Sequence, residues 1–177
     1  MKKILAFGAS SSRKSINKKL ASFAASLVND AEVTVLDLND FEMPLYSVDK
    51  HEEIGVPQAA VDFKKHLADA DGVIISFAEH NGTYTSAFKN IFDWASKVEK
   101  NMWLDKPMVL LSTSPGARGG STALDIAVER FAFMNAKVVA HMSLPSFYDN
   151  FEEGKGVTDE GYRKELGQRV KQLEAHL

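Results

Sequence analysis

At 177 residues, with 45% apolar and 25% charged residues, the chain has the composition of one globular domain, residues 1–177, with a real core. A net charge of −3 gives no reason to expect nucleic acid or an anionic membrane as partner, and the lack of cysteine removes disulfides, thiolate catalysis and Cys-ligated metal centres. Redox chemistry would therefore need a bound cofactor; no run approaches the ~18 apolar residues of a membrane span, and the amino-terminal MKKILAFG breaks too early for a signal peptide, so a cytoplasmic protein is expected.

In chain order, residues 3–7 read as a short buried strand, apolar throughout. The loop GASSSRKS follows. From Ser15 to Val28, Ile16, Leu20, Phe23, Ala24 and Leu27 form one helical face, with Ser15 as N-cap. Residues 32–38 (EVTVLDL) are the next strand. Residues 39–56, with Pro44 and Gly55, read as a long loop, and a helix runs from Pro57 to about Leu67. Asp71-Gly72 turns the chain into the strand 73–77 (VIISF), after which comes AEHNGTYT and a helix over 85–98. A fourth strand, 108–111, leads into the glycine-rich TSPGARGGST. Leu124, Ala127, Val128 and Phe131 mark a further helix. Residues 136–141 are the fifth strand, 143–158 read as loop, and Tyr162, Leu166, Val170 and Leu173 stripe a last helix.

Five short apolar strands alternating with helices predict an α/β fold with a parallel sheet covered on both faces. The count fits a doubly wound, flavodoxin-like five-stranded sheet of order 2-1-3-4-5. In that topology the loops after strands one, three and four meet at the carboxyl edge, where ligands bind. Those are the three loops of unusual composition.

The first loop has neither GxxxxGK[ST] nor GxGxxG, which disfavours a nucleoside triphosphate or a tightly bound dinucleotide. Ser10, Ser12, Arg13, Ser15 and Asn17 instead suit a terminal monoester phosphate, with hydroxyls, amides and a guanidinium as donors at a helix N-terminus. In the second loop Glu79, His80 and Asn81 follow a buried strand and are expected to face the cleft. Asn81 offers both donor and acceptor to the polar edge of a heteroaromatic ring, and Asn81-Gly82 is a tight-turn pair. The third loop, with Ser114, Gly116 and Gly119, lets backbone approach a flat ligand. No His or carboxylate pair has metal-ligand spacing, so no metal site is expected. No G-x-S-x-G supports a serine hydrolase.

Three stretches together resemble the NADPH-dependent FMN reductase family, flavodoxin-like proteins that include quinone, azo-dye and chromate reductases. FGASSSRKSIN is similar to the family's phosphate loop. AEHNGTYTSAFKNIFDW resembles P-E-Y-N-x-x-x-P-x-x-L-K-N-x-x-D-W, with Glu79, Asn81, Lys89, Asn90, Asp93 and Trp94 in register. TSPGARGG resembles the loop along the flavin. Ala78, His80 and Thr85 stand where the family has proline, tyrosine and proline.

The resemblance implies FMN as cofactor, its phosphate on Ser10, Ser12, Ser15, Ile16 and Asn17. It implies an isoalloxazine held by Glu79, His80, Asn81 and Gly82 on one side and by Ser114, Gly116 and Gly119 on another. It implies NADPH or NADH as co-substrate, a small-molecule electron acceptor such as a quinone, azo compound or free flavin, and a homodimer or homotetramer. The flavin carries the chemistry, so no catalytic side chain is expected. The alternatives are a flavodoxin-type electron carrier and a flavin-binding regulatory domain without hydride transfer.

Overall fold

The computed structural model describes all residues, 1–177. Its sheet has five parallel strands in the order β2-β1-β3-β4-β5, as the strand count predicts. β1 is Lys2–Ala9, β2 Ala31–Leu36, β3 Gly72–Phe77, β4 Pro107–Thr113 and β5 Lys137–Leu144. The longer helices are α1 (Ile16–Ser26), α3 (Gln58–Asp69), α4 (Ser86–Ala95), α5 (Ser121–Phe133) and α7 (Glu160–Glu174).

Side chains on a strand alternate between faces, and the two cores follow that alternation. Leu5, Phe7, Val73, Ile75 and Phe77 point to the face covered by α3, α4 and α5, where they meet Phe63, Phe88 and Phe131. Ile4, Ala6 and Ile74 point to the opposite face and meet Leu20 and Ala24 of α1 and Val170 and Leu173 of α7. Phe92, Trp94 and Trp103 are buried in the protein at 6%, 0% and 0% exposure.

Two stretches read as loop are more ordered than that. Residues 39–56 take in the end of a 3-10 turn over Leu38–Phe41 and the short helix α2 (Val48–Ile54), capped by Ser47 Oγ on the Lys50 amide. The first is a single turn and the second is largely polar with no buried residue, which hides a helical period. Residues 143–158 hold the end of β5, the single turn α6 (Phe147–Asn150) and the small antiparallel pair β6 (Phe151–Glu152) and β7 (Gly156–Val157). β2 is not covered on both faces: it pairs with β1 alone, and Val33 and Val35 remain 37% and 40% exposed.

Of Lys89, Asn90, Asp93 and Trp94, only Asn90 and Trp94 reach beyond their own helix. Lys89 and Asp93 pair along α4 at 2.8 Å. Asn90 and Trp94 grip the loop before α2: Asn90 Nδ2 donates to the Met43 and Pro44 carbonyls, its Oδ1 accepts from the Tyr46 amide, and Trp94 Nε1 donates to Pro44 at 2.7 Å. They brace the scaffold behind the site.

Candidate functional site

The loops after β1, β3 and β4 meet at the carboxyl edge of the sheet and enclose an open cleft of about 260 Å³. Of the residues expected there, Ser10, Ser12, Ser15, Ile16, Asn17, Glu79, His80 and Ser114 line it. Arg13, Asn81, Gly82, Gly116 and Gly119 do not, and Lys14, Ala78, Thr113, Pro115 and Tyr148 do.

The first loop is a cluster of donors. Ser10 Oγ accepts from the Ser12 amide and Ser15 Oγ caps α1 by accepting from the Lys18 amide, both at 3.1 Å, which leaves each hydroxyl proton free to donate. The amides of Ser11, Arg13, Lys14, Ile16 and Asn17 meet no acceptor within the protein. Two of them, Ile16 and Asn17, open α1, where the helix dipole adds positive potential. Free hydroxyls and amides without an acid among them suit a phosphate monoester. The loop is held tight against the helix because β1 and α1 touch at Gly8, where a Cβ would lie 2.3 Å from the Lys18 nitrogen.

Two residues of this loop differ from expectation. Arg13 points to solvent, and Lys14 takes the position in the cleft. The side chain of Asn17 faces inward: Nδ2 donates to the Thr113 carbonyl at 3.0 Å, and Oδ1 accepts from Ser76 Oγ at 2.7 Å and from the Thr113 amide at 3.0 Å. Asn17 therefore offers a ligand only its backbone N–H. Its amide group fixes the start of the third loop relative to the first.

The second loop is a tight hairpin. His80 and Thr83 exchange backbone hydrogen bonds at 3.0 and 3.2 Å, and Asn81 and Gly82 occupy the turn at φ 53° and 76°. Both central residues are left-handed, the geometry that favours an Asn-Gly pair. Asn81 and Gly82 thus build the turn and leave the cleft wall to His80. Glu79 also has a task that sequence does not show: its Oε2 accepts from the Ala123 amide at 3.0 Å. The N-cap residue before α5 is Gly120, which supplies no side-chain cap, so Glu79 caps that helix from the neighbouring loop. Thr85, in the position of the family's second proline, is buried, caps α4 on the Phe88 amide and donates to the Ala9 carbonyl at 2.8 Å.

In the third loop Gly119 has a packing role. It sits at φ 58°, and a Cβ there would lie 2.4 Å from Ser143 Oγ and 2.9 Å from the Leu144 carbonyl group. It lets the loop lie on β5. Gly116 is exposed and open, with its carbonyl accepting from the Ser146 amide at 3.0 Å. Arg118 is exposed and donates to Thr122, in keeping with a surface charge.

A second cavity, about 620 Å³, opens between α4 and α5 on the far side of the hairpin, lined by Leu45, Tyr84, Phe92, Ile126, Arg130 and Met134 among others. Burial pushes the Tyr84 phenol up to about 12, against a weaker opposing pull from Arg130, so it stays protonated. Beside the first loop, the Lys18 ammonium, 2.8 Å away, holds the Asp37 carboxyl down at about 2, helped by the Asn39 amide.

The family model described as NADPH-dependent FMN reductase matches residues 2–149. A 2-hydroxy-1,4-benzoquinone reductase of a Burkholderia species is 33% identical over 145 residues, covering 81% of this chain and 75% of that protein. A quinone reductase of Escherichia coli K12 is 28% identical over 114 residues, covering 64% and 59%. Among solved structures, the flavoenzyme NAD(P)H:(acceptor) oxidoreductase of Paracoccus denitrificans superposes with a TM-score of 0.77 at 25% identity, covering 99% of both chains.

Proposed function

Because the chain belongs to the NADPH-dependent FMN reductase family, we propose that it is an FMN-dependent oxidoreductase that passes electrons from NADPH or NADH to quinones, azo compounds or free flavin. The observation that carries this reading is the donor-only first loop at the junction of β1 and β3. The cleft fits FMN in the chemistry of its donors, anion-binding at one end and lined by Ala78, His80, Ser114 and Pro115 at the other. Bound FMN would supply the two-electron chemistry, accepting hydride and returning electrons to the acceptor.

The chain's own residues bind and orient. The hydroxyls of Ser10, Ser12 and Ser15 and the amides of Ile16 and Asn17 hold the phosphate. The inward side chain of Asn17 and the Glu79 carboxylate keep the three loops in register, so that His80, Ser114 and the backbone around them face the ring. No side chain in the cleft is assigned as acid or base.

The protein is proposed to act as a homodimer or homotetramer in the cytoplasm, where its nicotinamide co-substrate is found. Exposed apolar side chains at Leu45 and Ile126, which line the α4–α5 cavity, support contact between copies on that face. Quenching of flavin fluorescence by the purified protein, followed by NADPH oxidation with a benzoquinone, tests the reading. Flavin binding without turnover of either NADPH or NADH would point to an electron carrier, and no flavin binding would end the proposal.

A further inference from the structure

The turn after β5 brings an aromatic side chain to the cleft from outside the three loops. Tyr148 lines the same cleft as Ser12, Lys14 and Ser15, yet it is 71% exposed and its hydroxyl meets no partner within the protein. A large ring left to solvent on a mobile loop would be unremarked, but this one stands on a fixed base. The Ser146 and Phe147 amides donate to the Gly116 and Ser114 carbonyls, each at 3.0 Å, tying α6 to the third loop. Asn150 Nδ2 donates to the Pro145 carbonyl at 2.8 Å and the Asn150 carbonyl accepts from the Thr158 amide at 2.8 Å. Phe147 is buried and stacks on Phe151 with ring centres 4.6 Å apart, and Ser146 takes a left-handed φ of 45° to start the turn. One aromatic is thus driven into the core so that the next is presented at the cleft, edge-on to it at 5.5 Å. A non-glycine residue held at positive φ persists only where the surroundings enforce it.

We propose that Tyr148 closes the open side of the phosphate loop, its phenol and the Lys14 ammonium donating to the cofactor phosphate, so that this chain selects phosphorylated flavin over riboflavin. The inference rests on the proposed FMN reading of the cleft. Its logic is one of missing donors. A monoester dianion has three acceptor oxygens, and the serine hydroxyls and free amides of the first loop are all neutral donors. Lys14 supplies the one cation in the cleft, and Tyr148 supplies a neutral donor from the turn after β5. Hydrogen bonds to a charged phosphate are the stronger kind.

The test compares flavin-stripped full-length wild type with Tyr148→Phe and Lys14→Gln, titrating FMN and riboflavin by fluorescence quenching at low and high salt. Tyr148→Phe is expected to weaken FMN about tenfold, the equivalent of ~1.4 kcal/mol, and to leave riboflavin unchanged. Lys14→Gln is expected to weaken FMN and flatten its salt dependence, again with riboflavin unchanged. Melting temperatures of the stripped variants should match wild type, since both side chains are exposed. Wild type that binds FMN while Tyr148→Phe binds it equally well, or loses FMN and riboflavin alike, overturns this inference alone. Wild type that binds neither flavin overturns the proposed function, and the inference with it.

Discussion

Replacing Asn17 by alanine probes the junction on which the cleft depends. The side chain is 2% exposed and makes three hydrogen bonds, to the Thr113 carbonyl, the Thr113 amide and the Ser76 hydroxyl. Its removal leaves three polar groups without partners. An unsatisfied buried group costs ~1–3 kcal/mol; the Ser76 hydroxyl can rotate and water can reach Thr113 from the cleft, so the loss should be about 3 kcal/mol. For a chain of this size that lowers the melting temperature by roughly 6–12 °C. Urea unfolding followed by circular dichroism measures the first number and a thermal melt the second. FMN affinity should also fall, although the Asn17 amide N–H remains in place, because Thr113 and Ser114 lose their tether. A loss below about 1 kcal/mol with unchanged FMN affinity would refute the reasoning: Asn17 would then be neither a tether nor, through its side chain, a ligand.

Glu79→Gln keeps an acceptor for the Ala123 amide but removes charge at the N-terminus of α5, and should cost at most ~1 kcal/mol; Glu79→Ala should cost more and weaken FMN retention further. Weakened FMN binding in both with no loss of stability would instead make Glu79 a direct cofactor contact. Asp37 is held at about 2 against an ordinary 3.8, so its ion pair with Lys18 stabilises the fold above pH 3.8 and is lost as pH falls towards 2. The urea midpoint of wild type should therefore fall faster than that of Asp37→Asn across that window, and parallel curves would contradict the assignment. Gly119→Ala forces a Cβ against the Leu144 carbonyl group at positive φ and should unfold more easily by about 2 kcal/mol or more; a neutral effect would reopen a ligand-facing role for Gly119.

The parts of the fold with strong periodicity were legible in the sequence. Apolar runs such as VIISF and the Ile16–Leu20–Phe23 spacing report burial on a sheet and a helix face directly, and strand order follows from topology. The site was legible as three loops, because composition marks a loop. Within those loops the direction of each side chain was not. Arg13 and Lys14 are neighbours of like charge, and only the turn decides which one enters the cleft. Asn17, Glu79 and Gly119 carry residue types that suit a ligand equally well as they suit caps, tethers and close packing, and the structure uses them for the latter. Tyr148 left no signal because it lies in a stretch without period, and its place at the cleft depends on backbone bonds to Ser114 and Gly116 some thirty residues away.

The central claim, that this cleft holds FMN for two-electron transfer from a nicotinamide, is tested most directly by one anaerobic visible spectrum of the FMN-loaded protein before and after addition of NADPH. The account predicts flavin absorbance that bleaches on addition and returns when a benzoquinone follows. Protein that takes up no FMN, or FMN absorbance that NADPH and NADH both leave unchanged, would contradict it.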